Sequence, residues 1–328
     1  MPLVRGCKDR MIMDGTKNSC APTAVLIAGP TASGKSSLAV KLAQLVNGVI
    51  INADSMQIYD QMSILSARPT ADEMGDVEHR LYGYVSPSER YSVGRWLDDA
   101  VAAIKDVRSK GQCPILVGGT GLYFKALLEG LNAMPDIPQQ VRDFWAAELV
   151  RLGSPEALHA ILTDRDPVVA STLKPGDAQR TLRALEILDA TGKSLAQWHA
   201  GDDMRQDPAI AQDALCLALN PPRAQVYQKI ENRFDQMVEL GGIIEAVHLT
   251  GLGLSPDLPA MKAIGVAHLS AFDRGEMPYE EAIRLCKRDT RRYAKRQMTW
   301  IRNQMGEWSQ FETAEAAIAQ FLIEMEKN

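Results

Sequence analysis

One octapeptide, Gly29-Pro30-Thr31-Ala32-Ser33-Gly34-Lys35-Ser36, constrains this chain more tightly than any other segment. It fits G-x-x-x-x-G-K-[ST], the phosphate-cradling P-loop. The glycines let backbone N–H groups turn toward phosphate oxygens, and the N-terminus of a following helix adds partial positive charge. Lys35 brings a mobile cation and Ser36 a hydroxyl suited to Mg2+. The flanks agree with such a loop. Ala24-Val25-Leu26-Ile27-Ala28 is an unbroken apolar run that reads as a buried parallel strand. Residues 36–46 have helical periodicity, with Leu38, Leu42 and Leu45 on one face. Gly48 then resets the chain into a second strand, Val49-Ile50-Ile51-Asn52-Ala53, which ends at Asp54. Strand, loop, helix and strand within about thirty residues form a βαβ unit, so a parallel doubly wound sheet is expected.

Farther along, residues 96–108 read as a helix, and Ile115-Leu116-Val117 as a third buried strand running into Gly118-Gly119-Thr120-Gly121. From residue 135 to 200 strand-like runs vanish and helical pieces rich in Ala, Leu, Arg and Glu take over. Strand texture returns at residues 214–219, Pro221-Pro222 opens a helix over 223–240, and the remainder reads as helical. The organisation predicted is an α/β P-loop core, residues 23–134 and 201–328, interrupted by an all-helical insertion at 135–200. Residues 1–22 lack a signal-peptide apolar core and read as a flexible extension, or as translation upstream of Met11 or Met13.

Composition excludes several classes. A net charge of −5 argues against indiscriminate coating of nucleic acid or of an anionic membrane, without excluding a local basic face. No apolar run approaches the length of a membrane span. The five cysteines (Cys7, Cys20, Cys113, Cys216, Cys286) form no C-x-x-C pair, which predicts reduced thiols in a cytoplasmic protein. The five histidines (His79, His159, His199, His248, His268) lack metal-ligand spacing.

Four features join the P-loop as candidate chemistry. Asp54 closes the second strand at the sheet edge where α/β proteins bind ligands; there a carboxylate can take a proton from a nucleophile, or merely cap a turn. Its neighbours Ser55, Met56 and Gln57 suit gripping a base edge. Gly118-Gly119-Thr120-Gly121 allows close approach of a ligand, with Thr120 as a small donor or acceptor; alone it reads as a plain tight turn, and its occurrence with the P-loop and Asp54 moves it toward the site. Residues 287–302 carry seven cationic residues against Asp289 alone, interleaved with Tyr293 and Trp300. That element either neutralises phosphates or pairs with the protein's own acids. Gln179, Arg180 and Arg183 form a smaller polar cluster with the same two readings. The guanine-reading N/T-K-x-D element is absent, and glycines rather than an aspartate follow the third strand, which weakens an ordinary NTPase reading.

Taken together, GPTASGKS, INADSMQIYDQMSILSARPT, YSVGRWLDDA, PILVGGTGLYFKALLEG, QRTLRALEIL and RRYAKRQMTWIRNQ resemble the tRNA dimethylallyltransferase (tRNA isopentenyltransferase) family over residues 24–304. The resemblance implies a P-loop that holds the diphosphate of dimethylallyl diphosphate, with Mg2+. It implies transfer to N6 of the adenosine 3′ of the anticodon, position 37, and a helical insertion that clamps the anticodon stem-loop. By motif, Asp54 resembles the general base and Thr120 its partner at the acceptor nitrogen, with Lys35 at the diphosphate. Asp54-Ser55-Met56-Gln57 and Gln179-Arg180-Thr181-Leu182-Arg183 resemble tRNA-contacting segments. Arg142 resembles a further tRNA contact and Arg223 a diphosphate-binding arginine. The chain departs from the family's V-P-H-H-L at Val77-Glu78-His79-Arg80-Leu81, and from A-I-G-Y-K-E at Ala263-Ile264-Gly265-Val266-Ala267-His268. A monomer without membrane attachment is expected. The competing readings are a P-loop small-molecule kinase using ATP and a non-catalytic RNA-binding module.

Overall fold

The computed structural model describes residues 22–201, 204–205, 210 and 213–326. The extension expected at residues 1–22 therefore lies, Pro22 apart, outside the described residues. The strands are β1 (Ala24–Ala28), β2 (Gly48–Asn52), β3 (His79–Arg80), β4 (Cys113–Gly118), β5 (Leu131–Asn132), β6 (Met204–Arg205), β7 (Ala214–Leu219) and β8 (Ser309–Phe311). Six of them form one sheet in the order β3-β2-β4-β1-β7-β8. All its pairings are parallel.

Parallel neighbours need crossovers, and helices supply them on both faces. Because successive side chains point to opposite faces, each apolar strand feeds two cores. Leu26, Val49, Ile51 and Leu116 face one way, against Trp96, Leu97 and Ile104 of the Val93–Ser109 helix and Phe124 of the Gly121–Glu129 helix. Val25, Ile27, Ile50, Ile115 and Leu217 face the other way. They meet Leu38 and Leu42 of the Lys35–Val46 helix and Phe321 of the Ala314–Glu326 helix. This is the parallel P-loop core that the βαβ unit predicts. One expectation fails at its edge. Residues after 223 read as helical throughout, yet β8 extends the sheet beside β7, pairing Leu217 with Ser309 and Leu219 with Phe311. Three residues are too few to carry an alternating pattern.

The helical insertion comprises Gln139–Leu152, Pro155–Arg165, Pro167–Ala170, Ala178–Thr191 and Leu195–His199. These helices enclose a core of their own, built on Trp145, Leu158, Leu162, Val169, Ala184 and Leu185. At its base the entering and leaving chains pair as antiparallel β5 and β6, Leu131 opposite Arg205 and Asn132 opposite Met204. After the sheet, the helices Arg223–Glu239 and Tyr279–Gln304 pack together. The second of them runs past the ends of β1 and β4. Among the described residues no helix is long and apolar enough to cross a membrane.

Candidate functional site

The sheet order explains why the sequence motifs meet. β2, β4 and β1 are neighbours, so Asp54, the Gly118–Gly121 turn and the P-loop leave adjacent carboxyl ends. Backbone bonds stitch these exits together. Gly29 N–H donates to Gly118 O at 3.3 Å, Ala53 N–H to Val117 O at 2.8 Å and Thr120 N–H to Ala53 O at 3.3 Å. A Cβ on Gly118 would lie 2.0 Å from the Ala53 carbonyl oxygen, so only glycine permits this approach.

Within the P-loop, Ala32 (φ 62°) and Gly34 (φ 95°) are left-handed, which turns successive amides inward ahead of the Lys35–Val46 helix. Lys35 Nζ reaches back to Pro30 O at 3.4 Å. Burial pulls the Lys35 ammonium down to about 8, the Asp54 charge opposing that fall and Arg233 adding to it. Arg233, on the Arg223–Glu239 helix, donates from Nη2 to the Thr31 hydroxyl. Its guanidinium is likewise held below its ordinary value by burial, with Asp54 and Glu73 pulling the other way. Two shielded cations thus share the loop, a pocket of positive potential facing one carboxylate.

Asp54 is half-buried. Its Oδ1 accepts from Met56 N–H at 2.9 Å, and its charge is felt by Lys35, Arg233, Tyr82, Tyr123 and Tyr293. Burial pushes the three tyrosines upward and Asp54 adds to the shift, so each hydroxyl stays a donor at neutral pH. The Thr120 hydroxyl accepts from Ser55 N–H at 3.0 Å and donates to Ser55 Oγ at 3.3 Å. Thr120 and Gln297 lie beside the Tyr293 hydroxyl and oppose the rise that burial and Asp54 impose on it. Gln297, almost wholly buried, closes the arrangement: Oε1 accepts from Thr31 N–H at 2.8 Å and Nε2 donates to Gly119 O at 2.9 Å.

The remaining expected site residues fall in several places. Gln57 spends its amide on Ser66 O and Ala67 O (3.1 and 2.9 Å), holding the following loop. Met56 packs against the sheet core. Arg223 is exposed, its guanidinium 5.8 Å from the Tyr227 ring centroid, and it is Arg233 that bonds to the P-loop. In the helical insertion Gln179 and Arg180 are exposed, and Arg142 and Arg183 flank Glu186 at 3.6 and 3.8 Å. Burial and the neighbouring Arg142 both hold the Arg183 guanidinium low. Thr181 is fully buried and packs within its helix bundle. Leu182 packs against the same core.

Sequence reasoning missed Arg233, Gln297 and Asn52. The first two sit among apolar helix residues, Arg233 beside Ile230, Phe234 and Met237, Gln297 between Ala294 and Ile301. A polar side chain on an inward helix stripe was the one available signal.

The basic element divides by face. Lys287 pairs with Glu231 and Asp235 at 3.5 and 2.7 Å, and Arg291 with Glu231, so this side is neutralised internally. Arg292, which also pairs with Asp289 at 3.7 Å, lines an open groove of about 670 Å3 with Lys295, Arg296, Thr299, Trp300 and Asn303. One face of the charge run pairs with the protein's own acids, and the other lines the groove.

Known proteins carry the same layout. A family model described as IPP transferase matches residues 57–304, and a second, isopentenyl transferase, matches residues 22–86. The chain is 49% identical over 305 residues to a protein of Mesorhizobium japonicum named tRNA dimethylallyltransferase, covering 90% of this chain and 94% of that one. It is 49% identical over 291 residues to one of the same name from Agrobacterium fabrum, covering 88% and 96%. Among solved structures, the full-length tRNA isopentenylpyrophosphate transferase of Bacillus halodurans superposes with a TM-score of 0.65 at 35% identity, covering 93% of this chain and 97% of that one. A eukaryotic dimethylallyltransferase acting on tRNA gives 0.68 at 28% identity, over 85% and 69%. With a P-loop, a facing carboxylate and these relatives over most of its length, the chain belongs to the IPP transferase family of tRNA-modifying enzymes.

Proposed function

We propose that this enzyme transfers the dimethylallyl group of dimethylallyl diphosphate to N6 of adenosine 37 in tRNA, beside the anticodon, and releases diphosphate. The observation that carries the reading is the pair of shielded cations, Lys35 and Arg233, set on the P-loop opposite Asp54. The C1–O bond of an allylic diphosphate breaks with its electrons leaving on the diphosphate, because the double bond spreads the positive charge left on C1. Catalysis then consists of holding the departing anion and aiming the nucleophile. The inward amides, Lys35 and Arg233 serve the first task.

Adenine N6 is a weak nucleophile whose lone pair is conjugated with the ring. It must lose a proton as the N6–C1 bond forms, and Asp54 takes that proton. Thr120 and the protonated Tyr293 beside it are placed to hold the base edge. A stacked adenine cannot reach a recessed P-loop, so the base is flipped out of its stack.

The donor set also fits Mg2+. Ser36, in the first turn of its helix, and Asp54 across the site offer hard oxygens. No group of three or more His, Cys, Asp or Glu suited to a metal occurs among the described residues, so such an ion would rely chiefly on diphosphate and water for its ligands. Ser36 would hold the ion, which would supply neutralisation of the charge developing on the diphosphate.

The exposed cations of the groove, with Gln179, Arg180, Arg183 and Arg142 in the helical insertion, supply phosphate contacts to an anticodon stem-loop. Among the described residues Cys113, Cys216 and Cys286 are free thiols, Cys113 pushed up to about 11 by burial, which suits a reducing cytoplasm. The test is mass spectrometry of nucleosides from tRNA incubated with enzyme and dimethylallyl diphosphate. N6-dimethylallyladenosine at position 37 is the expected product. Labelled phosphate transferred from ATP to a small acceptor, with no prenylated nucleoside, would favour the kinase reading instead.

A further inference from the structure

Asn52 is the last residue of β2, fully buried, and ordinary expectation makes it a strand-end turn former. Its side chain does more than close a turn. Oδ1 accepts from Asp54 N–H at 2.8 Å, while Nδ2 donates to Asp54 O at 2.9 Å and to Leu81 O at 3.0 Å. One carboxamide therefore grips both backbone groups of the residue read here as the general base. The grip is itself braced from outside. The Asn52 carbonyl accepts from Trp96 Nε1–H at 2.9 Å, and Trp96 stacks on Tyr123 with ring centroids 4.2 Å apart.

Leu81 sits at φ 60°, a left-handed conformation that a leucine adopts only under constraint. It follows β3, which pairs with β2 through His79 opposite Ile50 and Arg80 opposite Ile51. The segment 77–81, where the chain departs from the family's usual residues, thus ends in a carbonyl that anchors the Asn52 side chain. With Asp54 Oδ1 committed to Met56 N–H, the backbone clamp fixes the direction in which Oδ2 is presented.

We propose that Asn52 is a positioning residue for Asp54: its buried carboxamide, anchored on Leu81, sets the angle at which the Asp54 carboxylate meets the acceptor amine. The inference rests on the reading of Asp54 as the base. Asn52 itself is enclosed, so its effect passes through Asp54. Removing the clamp leaves the peptides around Asp54 free to turn, and a misplacement of about 1 Å at a reacting group is enough for a loss on the order of 100-fold.

The experiment is a double-substitution cycle read by single-turnover rates at saturating donor and tRNA, with KM measured for each. N52A is expected to lower the rate by roughly 10- to 100-fold, with KM for both substrates within about twofold of wild type. In a D54A background the same change is expected to alter the residual rate by less than about twofold, since its target is gone. Wild-type turnover in N52A, or an equal fold-loss in both backgrounds, overturns the proposal. Unimpaired turnover in D54A strikes the base assignment instead, which keeps the two failures distinct. Should N52A not purify folded, N52S runs through the same cycle; its hydroxyl can still accept from Asp54 N–H but is too short to hold Leu81 as well.

Discussion

Lys35 and Arg233 share one small volume, and burial holds both cations below their ordinary values. A diphosphate entering between them relieves their repulsion and raises the Lys35 value again. From this follows a pH dependence. Below about 8 free Lys35 is already charged, and donor affinity is complete. Above that value binding must recharge it, so affinity falls with rising pH and each binding event takes up a proton. Calorimetry of donor binding at pH 8.5–9 in buffers of different ionisation enthalpy is expected to show that uptake, and K35A to abolish it. At the same scale, R233A is expected to weaken donor binding far more than R223A, because only Arg233 bonds to the loop. Donor titrations of the two variants check this. D54A is expected to lower kcat by roughly 10²–10⁴ with little change in tRNA affinity, measured by turnover and by filter binding. Much of this was readable beforehand: Lys35, Ser36, Asp54 and Thr120 stand in local motifs. Arg233 and Gln297 were not, because a single polar residue on an inward helix stripe looks the same whether it faces a site or a buried partner.

The Tyr279–Gln304 helix shows how one element serves two ends. Its Lys287 and Arg291 lock it to the Arg223–Glu239 helix through Glu231, while Arg292, Lys295 and Arg296 stay on the open groove. Gln297, from the intervening face, ties it to the P-loop and Gly119. Removing the three groove cations together is expected to weaken tRNA binding and to reduce the salt slope by about 1 per lost phosphate contact, leaving donor binding unchanged. Salt titrations of tRNA affinity measure that slope. R291A is expected instead to act on packing, lowering the melting temperature with little effect on the slope. Net charge along the segment was legible from the sequence. Which of its cations lock onto the neighbouring helix depends on where Glu231 and Asp235 lie, fifty or more residues away.

At the scale of the whole molecule, the helical insertion and the sheet bury separate cores. Trp145 anchors the insertion, its indole N–H bonded to Asp189 at 2.8 Å and its ring beneath Arg165. W145A is therefore expected to cost about 3–5 kcal/mol within that core. The effect should show as an early unfolding transition ahead of the main one, with loss of tRNA binding and retention of donor binding by the P-loop core. Calorimetric melting and the two binding measurements together report it. The texture change over residues 135–200 pointed to this arrangement. The two-residue strands β5 and β6 at the base were invisible, being too short to carry any periodic signal.

What the sequence by itself determined is whatever depends on near neighbours. A P-loop needs its glycines and lysine at fixed spacing, and a buried parallel strand needs an apolar run. Each is satisfied within a few residues, so each can be read locally. What only the tertiary structure decided is adjacency. The order β2-β4-β1 brings Asp54, Gly118 and Gly29 to one edge, places Arg233 on Thr31, and sets Asn52 between Asp54 and a strained Leu81. Those contacts span up to some two hundred residues of chain. They exist because hydrogen bonding between strands and burial of both sheet faces leave one compact solution, which no local pattern encodes.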